Sequence, residues 1–145
     1  MQKDERSEPD QRHRRQSCEG SSEGVRATSE FQNDLRDRTK RFALRIVRVF
    51  SALPKTAEAQ VLGKQLLRSG TSIGANYREA YRARSKPEFI AKCGDSLREI
   101  EETAYWLELL VEADIVSGDK LRPLRDECDE LTAIFVTILK RSKEP

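Results

Sequence analysis

The sequence has little of what catalytic and metal-binding sites are usually made from. Its 145 residues include one histidine, His13, and three cysteines without C-x-x-C spacing. They include no nucleophile motif and no glycine-rich loop that would cradle a phosphate. His13 lies outside the part with regular apolar spacing, so no imidazole is expected in the folded domain. We therefore predict a protein that is not an enzyme and that uses no metal and no cofactor.

Long hydrophobic runs are also missing. The mean hydropathy is −0.73, and 36% of the residues are charged. No apolar stretch approaches the roughly 20 residues needed to cross a bilayer, and the first residues lack the hydrophobic segment of a secretory signal. We expect no membrane partner and a cytoplasmic location. Cys93 and Cys128 lie on apolar stripes and are expected to be small buried residues in a reducing compartment, whereas Cys18 has no evident partner.

The first 30 residues are polar, with Met1, Cys18, Val25 and Ala27 as their few apolar members. Such a segment cannot bury enough surface to offset the entropy lost on ordering. We predict a disordered tail over residues 1–30 and a folded domain over residues 31–143. The arginines around His13 fit a solvated charge run better than a weak nucleic-acid contact.

Apolar residues at alternating steps of three and four dominate the remaining chain, and this spacing is typical of amphipathic helices. A third-helix example is Ile90, Cys93, Leu97, Ile100, Ala104, Leu107 and Val111. The predicted helices run approximately over residues 33–53, 56–84 and 85–114, with Thr56 as the expected N-cap of the second. A fourth helix follows a turn at residues 115–119 and has Ser117 or Asp119 as its expected cap. Because Pro123 lies too far into it to be free of cost, its regular part is expected to begin only after that residue. Short connections between four such helices indicate an all-α, antiparallel up-down four-helix bundle.

The corner between the second and third helices has its own signature. Ser85 and Glu88 have the spacing of a capping box, in which each side chain accepts from the backbone N–H of the other residue. Pro87 falls in the first helical turn, where a missing N–H costs little.

Charge is unevenly distributed along the chain. Residues 34–84 carry 12 basic and 4 acidic side chains, whereas residues 85–145 carry 9 and 14. Two basic rows recur at helical spacing, one in the first helix (Arg38, Arg41, Arg45, Arg48) and one in the second (Lys64, Arg68, Arg78, Arg82). If both rows face one side, they form an electrostatic footprint for phosphates. The competing interpretation is a solvated face, or salt bridges to acidic residues of the same or a neighbouring subunit.

Some individual residues have both a structural and a functional interpretation. Tyr77 and Tyr81 favour packing at a helix contact over base stacking. Asn76 falls on the stripe expected to face the core, where a satisfied amide fixes helix register. Glu79 is expected to pair with Arg82 or with another helix. Additional aromatic surface near Tyr105 on the third helix hints at an oligomer interface.

A long motif resembles one known family. The run Arg68–Ala80 (RSGTSIGANYREA), followed by Arg84–Lys86, Glu88–Phe89, Ser96–Leu97 and Glu99, resembles the bacterial four helix bundle protein family. This is also called the 23S rRNA intervening-sequence protein family. The similarity covers roughly residues 31–143. Many members have glycine where this chain has Ala80, which puts local packing there in doubt.

The resemblance implies a left-handed bundle that assembles into a ring-like homopentamer. It also implies structural roles for the motif residues Ser72, Asn76, Glu79, Arg84 and Ser85. A related branch comprises the accessory variability proteins of diversity-generating retroelements, which bind a reverse transcriptase and RNA. We therefore predict a non-catalytic oligomeric adaptor that binds RNA or DNA. The alternative is a protein–protein scaffold, such as an accessory subunit of a reverse transcriptase.

Overall fold

The structure is a computed structural model that describes the backbone of residues 23–145 and the side chains of residues 34–145. It contains four helices: α1 Glu23–Ala52, α2 Ala57–Tyr81, α3 Lys86–Glu112 and α4 Gly118–Ser142. No strand occurs in this range, which confirms the predicted all-α bundle. Helix α1 begins at Glu23, earlier than the predicted start near Asn33. Residues 1–22, including His13 and Cys18, lie outside the described residues, so the tail boundary stays a prediction.

The helices run up and down in chain order. Helix α2 packs extensively against both α1 and α3, α3 packs against α4, and α1 and α4 complete the bundle through a looser contact. The α1–α4 groove and the α2–α3 groove therefore lie on opposite sides of the bundle. This arrangement decides which charged rows can act together.

One apolar core joins all four helices. Its largest fully buried side chains include Phe42 from α1, Leu66 and Tyr77 from α2, Ile100 from α3 and Phe135 from α4. The rings of Tyr77 and Phe135 meet edge to face, with centroids 5.7 Å apart. Burying each such side chain contributes about 1.5–3 kcal/mol, so the core is the main source of stability.

Side-chain caps define where three helices begin. Thr56 and Ser85 accept from the third backbone N–H that follows them, as predicted. The Glu88 carboxylate, however, accepts from the N–H of Arg84 (3.1 Å) instead of that of Ser85. The half of the capping box that Ser85 supplies is present, with Ser85 Oγ 3.2 Å from Glu88 N.

Helix α4 begins at Gly118, directly after one of the two predicted cap residues, but, contrary to the prediction, its regular part does not start only after Pro123. Ser117 caps it, since its hydroxyl accepts from the N–H of Lys120, and Pro123 lies inside the helix. Proline removes one intrahelical hydrogen bond. Burial of Leu121 and Leu124 on either side of Pro123 offsets that loss.

Buried hydroxyl groups connect α2 to α3. Ser96 Oγ donates to the carbonyl of Ile73 (2.9 Å), and the hydroxyl oxygens of Ser69 and Thr103 are hydrogen-bonded at 2.9 Å. Ser96 and Thr103 are fully buried, whereas Leu97, a member of the predicted stripe, is only partly buried. Small hydroxyl side chains therefore bring α2 and α3 close together and fix their register.

The close contact between α1 and α2 depends on glycines, which have no side chain. A Cβ atom on Gly70 would lie 2.8 Å from Ile46 Cγ1, and one on Gly74 would lie 3.1 Å from Thr39 Oγ1. The atoms near Gly70 belong to the stiff base of a β-branched side chain, which cannot swing away. Glycine is therefore required at position 70 by close helix approach.

We predict that Gly70→Ala destabilises the protein, because overpacking costs about 1–3 kcal/mol and exceeds the gain of about 1 kcal/mol in helix propensity. Gly94→Ala is the matched control, since a Cβ at Gly94 meets nothing within 4 Å. Thermal and urea unfolding monitored by circular dichroism should show Gly94→Ala at or above the wild-type stability. Equal stability of the two variants would contradict the close-approach argument.

Candidate nucleic-acid interface

The first basic row borders the groove between α1 and α4. Arg41 and Arg48 are exposed, and Arg38 and Arg45 are half-buried. Arg38, Arg41 and Arg45 line a shallow cleft together with Phe42 of the core and Glu127 of α4. The row faces this side because Leu35, Phe42 and Ile46 turn the adjacent face of α1 into the core.

Arg38 differs from the other members of its row because it is held by carboxylates. Its Nε lies 3.0 Å from Glu127 Oε1, and one of its terminal nitrogens contacts both Glu127 and Glu130. Hydrogen bonding to Glu127 raises the pKa of Arg38 above its ordinary value. The sequence-based interpretation of the arginines as salt-bridge partners therefore applies to this residue.

The other three members of the row form no ion pair with any described side chain. Arg41, Arg45 and Arg48, hereafter the α1 arginine triplet, have no carboxylate of residues 34–145 within 4.0 Å of their guanidinium nitrogens. Three charges that lack a carboxylate partner among the described side chains are available to an anionic ligand.

The second basic row is divided in a similar way. Arg68 contacts Glu99 and Glu102 of α3, and its hydrogen bond lowers the pKa of Glu102. Lys64, Arg78 and Arg82 are exposed and form no ion pair with a described side chain.

The two rows do not form one surface, which corrects the arrangement considered from the sequence. Arg38 contacts α4, Arg68 contacts α3, and these grooves lie on opposite sides of the bundle. Arg78 lines a different depression, between α1 and α2, with Lys40. The eight predicted residues therefore form two separate groups: the row on α1, which borders the α1–α4 groove, and the four residues on α2 or at its C-terminal end.

The tyrosines differ in accessibility. Tyr77 is 1% exposed and belongs to the core, and burial raises its pKa to about 12. The packing interpretation is thus confirmed for this residue. Tyr81 is 40% exposed, and the guanidinium of Arg36 lies over its ring, 4.6 Å from the centroid. Little aromatic surface remains near the basic rows for stacking with bases.

The motif residues occupy structural positions around the hairpin. Ser72 donates to the carbonyl of Arg68, and Ser85 caps α3. Glu79 reaches across to Lys92 of α3, with 2.6 Å between the charged atoms, instead of pairing with Arg82. Arg84 is exposed.

Asn76 is half-exposed and makes no side-chain hydrogen bond within residues 34–145, contrary to the prediction of a core-facing amide. The buried face of α2 passes through Ile73, Tyr77 and Ala80. Asn76 lies at the edge of that face.

The sequence analysis missed the carboxylates that engage Arg38. Glu127 and Glu130 are three residues apart on α4, beside the buried stripe that contains Cys128 and Leu131. Their role could have been inferred from the sequence. They lie at the edge of the apolar stripe of α4, where acidic side chains can face the arginine row of the antiparallel helix α1.

The described residues contain neither an activated thiol nor a metal-ligand cluster. Burial raises the pKa of Cys93 to about 11 and that of Cys128 to about 12, so both thiols are protonated at neutral pH and are poor nucleophiles. Residues 34–145 contain no group of three or more His, Cys, Asp and Glu side chains that could hold a metal ion. No described helix has the length and apolarity that a membrane crossing requires.

These observations define the class of protein: an all-α bundle whose first helix carries a basic face. The sequence model of the 23S rRNA-intervening sequence protein family matches residues 31–137, and the chain belongs to this family. A protein of unknown function from the S23 ribosomal protein family of Bacteroides thetaiotaomicron, whose crystal structure has been determined, is 38% identical in sequence to this chain. The two structures are similar, with a TM-score of 0.71. The match covers 75% of this chain and 97% of that one. No functionally curated protein shows detectable similarity to the chain.

We predict that Cys93 and Cys128 resist modification in the native state, because both are buried and protonated. A Cys18→Ser variant, which has only these two thiols, should react with a chromogenic disulfide reagent at least about 100-fold more slowly when folded than in denaturant. Rapid native labelling of either thiol would contradict the described core.

Proposed function

We propose that this protein is a non-catalytic adaptor that binds nucleic acid through the α1 arginine triplet, with RNA as the preferred candidate ligand. The observation that carries the proposal is the row itself: Arg41, Arg45 and Arg48 share one face of α1 and have no carboxylate partner in residues 34–145. The family's description, which refers to 23S rRNA, is consistent with an RNA ligand.

The length of the row suits a short stretch of nucleic-acid backbone. Arg41 and Arg48 are seven residues apart, which corresponds to about 10 Å along a helix. One strand of a duplex presents a phosphate about every 3.4 Å of its axis, so about three phosphates fall within this length. Arginine is well suited to such contacts because its planar guanidinium donates two parallel hydrogen bonds to a phosphate.

The surroundings of the triplet favour backbone contacts over base recognition. Tyr77 is buried, and Tyr81 is covered on one face by Arg36. Phosphate contacts position a protein on nucleic acid but carry no direct sequence information. Binding through this face is therefore expected to be weakly sequence-dependent and strongly salt-dependent.

Reversing two charges of the triplet tests the proposal. Arg41→Glu combined with Arg45→Glu should reduce the affinity for a fluorescent RNA oligonucleotide at least about 100-fold at low salt, because two attractive phosphate contacts become repulsive. Fluorescence anisotropy titrations at several salt concentrations measure this effect. Circular dichroism should show an unchanged fold, since Arg41 is exposed, Arg45 is half-buried, and neither forms an ion pair with a described side chain.

Lys64→Glu combined with Arg82→Glu provides the matched control. It changes the net charge by the same amount on the exposed face of α2, and its effect on affinity should be small. Equal losses in the two variants would indicate a general charge effect and would reject the triplet as the binding site. Absence of salt-dependent RNA and DNA binding by the wild-type protein would reject the function itself.

A second candidate function, a self-assembling protein scaffold, is favoured by the outer face of α3. Tyr105 is 51% exposed, and its ring lies beside that of Trp106, with centroids 5.1 Å apart. An exposed tyrosine ring beside a partly buried tryptophan widens the apolar surface of α3 beyond what a lone bundle needs, and such aromatic surface is typical of protein contacts. We propose that copies of the chain meet through this face, in a homopentamer of the kind that the family resemblance implies. The partner that the family resemblance implies for such a scaffold is a reverse transcriptase.

Substitution of Tyr105 by glutamate should convert the assembled protein to smaller species, because a charge at the centre of an aromatic contact loses its hydration. Analytical ultracentrifugation at micromolar concentration measures the mass. Arg98→Glu, on an exposed residue of the same helix, is the control and should leave the mass unchanged. A monomeric wild-type protein would reject self-assembly.

A further inference from the structure

Two ion-pair clusters contain the same residue types and lie on opposite sides of the bundle. In each, one arginine is held by two glutamates of a neighbouring helix: Arg38 by Glu127 and Glu130, and Arg68 by Glu99 and Glu102. Only the first cluster continues the row formed by the α1 arginine triplet. The second lies in the α2–α3 groove, on the opposite side of the bundle.

The carboxylates around Arg38 occupy the positions that a phosphate would take. Glu127 Oε1 accepts from both Nε and a terminal nitrogen of Arg38, while Glu130 accepts from the terminal nitrogen. The two bonds to Glu127 converge on one carboxylate oxygen, and the two glutamates together engage the Nε–H and terminal N–H donors that a phosphate would use. A ligand that follows the row from Arg48 through Arg45 and Arg41 therefore meets an arginine whose Nε and one terminal nitrogen are already engaged, together with two negative charges.

The two glutamates differ in how firmly they are placed. The Glu127 side chain is 17% exposed, whereas that of Glu130 is 67% exposed. Water and salt screen an exposed ion pair, which is consequently weak and exchangeable. Glu130, the more exposed of the two, can therefore be displaced from Arg38 more easily than Glu127.

We propose that Glu127 and Glu130 act as an intramolecular competitor for phosphate at Arg38, limiting the nucleic-acid footprint to Arg41, Arg45 and Arg48. This inference rests on the proposed function and adds the residues that limit the extent of its interface. The two carboxylates set where the interface ends and how many phosphates the row contacts. Neutralising them extends the row by one contact, because Arg38 then becomes available.

The test uses the full chain with Glu127→Gln and Glu130→Gln together, and a fluorescent RNA oligonucleotide as the probe. Affinity should increase, and the slope of log K against log salt should steepen by about 0.7 for a single strand or about 0.9 for a duplex. The gain in affinity should therefore shrink about threefold between 50 and 200 mM salt. Thermal unfolding reports whether the fold is retained.

The second cluster supplies a charge-matched control. Glu99→Gln with Glu102→Gln raises the net charge from +2 by the same two units and releases Arg68, but on the side away from the triplet. Its salt slope should remain that of the wild type. An equal steepening in both variants would show a general charge effect and would overturn the inference.

Adding Arg38→Gln to the Glu127→Gln, Glu130→Gln variant separates competition from simple repulsion. If the carboxylates act by occupying Arg38, the added substitution should restore the wild-type slope. A gain that persists without Arg38 would mean that the glutamates merely repel the ligand, and the competitor role would be wrong. If wild-type protein binds RNA and the first variant is unchanged, the inference fails while the proposed function stands; if the wild type does not bind, the proposed function fails.

Discussion

The close packing of α2 between α1 and α3 is the constraint on which the rest of the structure depends. Toward α1, Gly70 leaves space for Ile46, and no side chain could replace its hydrogen without moving a β-branched neighbour. Toward α3, Ser69 and the carbonyl of Ile73 form hydrogen bonds with buried hydroxyls. Helix α2 therefore has a fixed rotation about its own axis. Small residues on both sides determine this rotation more strictly than large apolar side chains alone would.

The fixed rotation of α2 determines what α1 can present to solvent. Since Ile46 packs over Gly70, the apolar face of α1 turns inward, and the arginines next to that face turn toward α4. The loose contact between α1 and α4 leaves them in an open groove instead of an interior. A basic surface thus results from the core: the side chains that stabilise the fold also orient the charges that form the candidate interface.

The sequence predicted the fold well because spacing at steps of three and four is a direct consequence of helical geometry. It also predicted the caps at Thr56 and Ser85, whose signals are local. It failed where competing local and tertiary effects meet. The sequence indicates a cap at Ser117 or Asp119 but regular helix only after Pro123, yet burial of Leu121 and Leu124 keeps Pro123 inside a regular α4. The spacing of the apolar stripe predicts that Asn76 faces the core, whereas the buried face of α2 is rotated toward Ile73 and Tyr77.

The candidate site was less predictable than the fold for a related reason. A single sequence shows that arginines share one helix face, but ion pairs between helices depend on how those helices are rotated. Arg38 and Arg41 are equivalent members of one row in the sequence. In the bundle, only Arg38 contacts Glu127 and Glu130, because the antiparallel course of α4 brings those residues beside one end of the row.

This difference within one row explains how a modest net charge is compatible with a local basic surface. The whole chain carries only +2, and surface charges separated by more than about 8 Å are largely screened at physiological salt. A ligand consequently responds to the few charges nearest to it and hardly to the total. Arg41, Arg45 and Arg48 form a local excess of positive charge, and the carboxylates beside Arg38 end that excess within one helical turn. The placement of Glu127 and Glu130 on α4 is therefore as important to the proposed interface as the arginines themselves.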